Sequence, residues 1–60
     1  MFIKHKVYYT VEVKIDDGSY LFVCSFSTFD EANERATDLK DQTGNEYRIL
    51  KIEKDIEEVS

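Results

Sequence analysis

Val7-Tyr8-Tyr9-Thr10-Val11-Glu12-Val13-Lys14-Ile15-Asp16-Asp17-Gly18-Ser19-Tyr20-Leu21-Phe22-Val23-Cys24-Ser25-Phe26 is the stretch that decides the fold. Its odd positions up to Ile15 are almost all apolar, and the alternation runs back to Ile3. Successive side chains of a strand point to opposite faces, so residues 3–15 read as one long strand with an apolar odd face. Asp17-Gly18 then signals a two-residue hairpin, because a type I′ turn needs positive φ at both central positions. A turn centred there sets Ile15 opposite Tyr20, Val13 opposite Phe22, Val11 opposite Cys24 and Tyr9 opposite Phe26. Directly opposed residues share a face, so the apolar face continues onto the second strand. On the other face Lys14 meets Leu21, Glu12 meets Val23 and Tyr8 meets Ser27.

Beyond the hairpin, Thr28 followed three residues later by Glu31 is a capping box, and Asp30 and Glu31 suit the first turn of a helix. Phe29, Ala32, Ala36 and Leu39 mark one buried stripe, while Lys40 and Gly44 suit the C-terminal end. The helix is expected over residues 28–43. Residues 46–53 read as a third strand, with Leu50 and Ile52 toward the helix and Tyr47 and Ile49 outside. The tail from Lys54 to Ser60 extends that strand, adds a helical turn or frays. The fold class is α+β, ββαβ, with one helix on one face of a three-stranded antiparallel sheet of order 2-1-3. Strand 3 beside strand 2 in parallel is the alternative.

Sixty residues make one domain spanning 1–60, with a small core. No apolar run reaches membrane-span length, and Met1-Phe2-Ile3-Lys4 opens no secretory signal. A single cysteine, Cys24, excludes a disulfide framework and points to a reducing cytoplasm. Thirteen acids against eight Lys/Arg, a net charge of −5, argue against direct nucleic-acid or anionic-membrane binding.

Catalytic constellations are nearly absent. Cys24 sits between Phe22 and Phe26 on the expected core face, and His5 has no nucleophile to activate. Asp16 and Asp17 lack the further ligands of a calcium loop, and Gly18 and Gly44 build no phosphate loop. No enzyme, cofactor or metal is expected.

Two surfaces stand out instead. Asp30, Glu34, Asp38 and Asp41 fall within about 80° of one another on the helix, opposite its apolar stripe, as a ridge about 16 Å long. With Asp16 and Asp17 they are the candidate partner-binding residues, because carboxylates of one sign steer a basic partner. On the outer sheet face Tyr8, Leu21 and Val23, with Ile49 beside them, form an apolar patch that one helix cannot cover. This is a candidate homodimer interface.

A small acidic ββαβ chain with Asp16-Asp17-Gly18 and Asp30…Glu34…Asp38…Asp41 resembles the phage-encoded inhibitors that imitate DNA. Two such groups are the dimeric phage inhibitors of uracil-DNA glycosylase and the phage inhibitor of the histone-like HU protein. The resemblance covers residues 7–53 in element order and charge. It implies a non-enzymatic inhibitor, dimeric and cytoplasmic in a bacterial host, that blocks a DNA-binding protein through its basic surface. The glycosylase inhibitors are further expected to set a hydrophobic pocket beside the acidic rim. The alternative is a protein-interaction module that binds through the apolar sheet face, its acidity serving solubility alone.

Overall fold

Strand alternation, a glycine turn and a capped helix produce four elements in a computed structural model that describes residues 2–58 and the side chains of residues 3–57. They are β1 (Phe2–Lys14), β2 (Tyr20–Phe26), α1 (Phe29–Thr43) and β3 (Tyr47–Glu58). The sheet order is β2-β1-β3, both pairs are antiparallel, and the fold is ββαβ. The expected architecture is the observed one.

The hairpin differs from the expected two-residue turn. Gly18 N–H donates to the Ile15 carbonyl and Ile15 N–H to the Ser19 carbonyl, each at 2.9 Å. Only glycines take positive φ, +87° at Gly18, so Asp17 does not adopt the type I′ conformation. This is a type I turn followed by a left-handed glycine, the usual three-residue hairpin loop. It shifts the register near the turn by one residue, so that Lys14 pairs with Tyr20, Val13 with Leu21 and Glu12 with Phe22. A bulge between Val11 and Glu12 takes up the slack and leaves Val23 as the extra residue. Beyond it the expected pairs Val11–Cys24 and Tyr9–Phe26 hold.

The shift changes faces. Val11 is fully buried with Ala32 and Ala36, so odd residues of β1 face the helix. Leu21, opposite Val13, lies on that same side, whereas Tyr20 and Phe22 move to the outer face. The phase expected for β3 is also reversed. Ile49 and Tyr47 pair with Val11 and Val13 and pack against the core, while Leu50 and Ile52 pair with Thr10 and Tyr8 outside. The core is thin. Two alanines let the helix approach the sheet closely, and Tyr9, Cys24 and Phe26 close its flanks half-buried. Phe29, expected in the buried stripe, is 50% exposed and meets Tyr9 edge-on at 5.9 Å.

The helix is capped as its sequence implies. Thr28 Oγ1 accepts from Glu31 N–H at 3.3 Å and donates to Glu31 Oε1 at 3.0 Å. At the other end Gly44, at φ +73°, donates to the Lys40 carbonyl. The Thr43 hydroxyl donates to the Leu39 carbonyl at 2.8 Å, so the Tyr47 hydroxyl, 3.0 Å away, is the donor in their contact and ties helix to β3. β3 runs on to Glu58, the first of the alternatives for the tail; residues 59 and 60 lie outside the described residues.

Because β3 pairs with β1 along its whole length and β2 covers only Tyr9–Lys14, residues 2–8 and 52–58 form a two-stranded arm. The molecule is accordingly 46 Å long and 14 Å thick.

Candidate functional site

Charge is divided between the two sides of this flat molecule. On the helix side, Asp30, Glu34, Asp38 and Asp41 are all exposed, and no ion pair reaches them among the described residues. Spacings of four, four and three residues set successive carboxylates about 4.5–6 Å apart along the axis. The same side of the arm carries Glu53, Asp55 and Glu57, paired with Val7, His5 and Ile3 of β1. Their spacing along the strand is about 6.6 Å. Asp55 Oδ1 lies 2.9 Å from His5 Nδ1, and Glu53 Oε1 lies 3.0 Å from Lys51 Nζ. The Lys51 contact holds the Glu53 carboxyl below its ordinary range and raises the Lys51 ammonium above its own, in each case through the hydrogen bond first and the charge second.

A hollow of about 260 Å³ abuts the ridge, lined by Phe26, Glu31, Glu34, Arg35 and Asp38. Asp16 and Asp17 lie apart at the hairpin tip. Asp17 has a local task, since its Oδ1 accepts from Ser19 Oγ at 2.6 Å and Ser19 N–H at 2.8 Å. These bonds lower its pKa, the hydroxyl contributing most.

The outer face is basic and aromatic. Arg48 reaches Glu12 Oε1 through Nη2 at 2.7 Å and stacks over the Tyr20 ring at 3.8 Å. Lys14 meets Glu46 at 3.4 Å. Farther along, Lys6 and Lys54 lie 5.4 and 5.6 Å from the centre of the Tyr8 ring. The four residues expected as one dimer patch are dispersed. Tyr8 is on the outer face, Leu21 and Ile49 are on the helix side, and Val23 is the bulge residue. The outer face instead carries Tyr8, Tyr20, Phe22, Leu50, Ile52 and Ile56.

Two sets of residues lie outside the candidate site expected from the sequence, although the acidity of the tail is plain in it. Glu53, Asp55 and Glu57 show strand alternation once β3 is carried through the tail, and Lys6 with Lys54 emerges only from the β1–β3 register. Among the described residues no group of three His, Cys, Asp or Glu side chains is placed to hold a metal ion, and no helix is long and apolar enough to cross a membrane. Comparison with protein-family models, with curated proteins and with solved structures finds no match.

Proposed function

We propose that this chain is a non-enzymatic inhibitor that occupies the basic surface of a DNA-binding protein, its helix-side carboxylates standing where phosphates would. The reading rests on the segregation of charge. Asp30, Glu34, Asp38 and Asp41 on the helix, and Glu53, Asp55 and Glu57 on the same side of the arm, give one side of a single chain two sets of acids. One strand of duplex DNA carries a charge every 3.4 Å or so, so spacings of about 4.5–6 Å supply fewer charges than its phosphates, roughly one for every two. The hollow beside the ridge sets one aromatic side chain, Phe26, among Glu31, Glu34, Arg35 and Asp38, so its lining is mainly charged. A bacterial cytoplasm is the setting in which such a partner would be met.

Retention of bacterial DNA-binding proteins on the immobilised chain tests this. Proteins held by the wild type should elute with added duplex DNA and should not be held when Asp30, Glu34, Asp38 and Asp41 are changed to Lys. The four side chains point away from Ala32 and Ala36, so the variant keeps its fold, and circular dichroism checks it. Equal retention by the folded variant would rule the reading out.

A further inference from the structure

The corner where β2 leaves the sheet holds a second surface. From Tyr9 to Val13 β1 is paired on both sides, but residues 2–8 are paired with β3 alone. Among the described residues no strand occupies the position in line with β2 there, and alternate backbone groups of β1 face it. We propose that an extended acidic segment of a partner protein docks in this vacancy as a fourth strand beside residues 2–8.

The charges around the vacancy select that occupant. Lys6 and Lys54 are directly opposed across β1 and β3, an arrangement in which like charges repel. Neither has a carboxylate partner among the described residues, and both lean over Tyr8. A groove of about 580 Å³ opens beside them, lined also by Thr10, Phe22 and Ser27. Thr10 is only 8% exposed, and its Oγ1 has no hydrogen-bond partner. An acidic side chain of the added strand, opposite Lys6, enters this groove and neutralises the lysine pair. On the other face Ile3, 72% exposed, and the half-buried Val7 flank His5, so the side chains of the added strand that meet these two residues are apolar. The recognised segment therefore alternates acidic and apolar residues, and its backbone completes the ladder.

A second copy fits poorly. Antiparallel pairing of residues 2–8 about His5 would set Lys4 of each copy against Lys6 of the other. Lys6 and Lys54 lie on the outer face and Asp30, Glu34, Asp38 and Asp41 on the helix, so substitutions at the two sets test the two assignments separately, although Phe26 borders both hollows.

The test is a titration of the isotope-labelled full chain with a seven-residue peptide of alternating glutamate and valine. Amide shifts should appear at residues 2–8 and 25–27, with slowed exchange of alternate amides in residues 2–8. Lys6→Gln with Lys54→Gln should weaken binding at least about tenfold, and both side chains are exposed, so the fold is retained. The proposal is overturned if no shift appears, if shifts fall on the helix, or if a lysine–valine peptide binds equally well. Tighter binding of single-stranded oligothymidylate, or self-association through residues 2–8, would overturn it too.

Discussion

Gly18 sets the hairpin geometry, and its substitution isolates one physical effect. A Cβ built there meets nothing within 4 Å, yet φ is +87°. The cost of Gly18→Val is therefore conformational, about 1–2 kcal/mol. That lowers the melting midpoint by roughly 4–8 °C per kcal/mol in a domain of this size, readable by circular dichroism. Thr10 tests the opposite sign. Its buried hydroxyl is unpartnered, so Thr10→Val should raise stability by about 1 kcal/mol in urea unfolding. Asp17 tests pH dependence. Its folded pKa lies below the ordinary 3.8, so the stability it contributes is present above pH 3.8 and is lost as pH falls through the folded value. The stability difference between wild type and Asp17→Ala should hold at neutral pH and close below pH 3.8.

Among the elements, those signalled by local chemistry were legible. Thr28, Glu31 and Gly44 announce the helix because caps depend on a few adjacent residues. The alternation along β1 and the turn after it give the strand order and the antiparallel pairing. The register of β2 was not legible, because a type I′ turn and a type I turn with a left-handed glycine both place glycine at position 18. The backbone of Asp17 and the turn's hydrogen bonds distinguish them, and the one-residue shift they set, taken up at the Val23 bulge, moves Phe22 to the outer face. The phase of β3 was ambiguous for another reason. Tyr47 and Ile49 compete with Leu50 and Ile52, and only pairing with Val11 and Thr10 decides between them. Of the candidate site, the helix ridge could be read from its 3.6-residue period, whereas the lysine pair required long-range register. The arm makes its own prediction. Two strands without a covering helix are marginal, so amides of residues 2–8 and 52–58 should exchange with solvent at least about tenfold faster than those of residues 9–13.

Taken whole, the molecule is extended, with a radius of gyration of 14.3 Å where a compact chain of this length would have about 10 Å. Length and thinness expose two broad faces, and the sequence loads them with opposite charge. Screening by salt weakens any acidic–basic contact, so salt dependence alone does not single out mimicry of DNA. Competition does. The direct measurement is fluorescence anisotropy of a labelled duplex bound to a basic DNA-binding protein retained by the chain. Histone-like HU protein and uracil-DNA glycosylase are the first probes. Wild-type chain should displace the duplex, and the chain with Asp30, Glu34, Asp38 and Asp41 changed to Lys should leave it bound. Displacement by both, or a ternary complex in which chain and duplex are held together, would contradict the account.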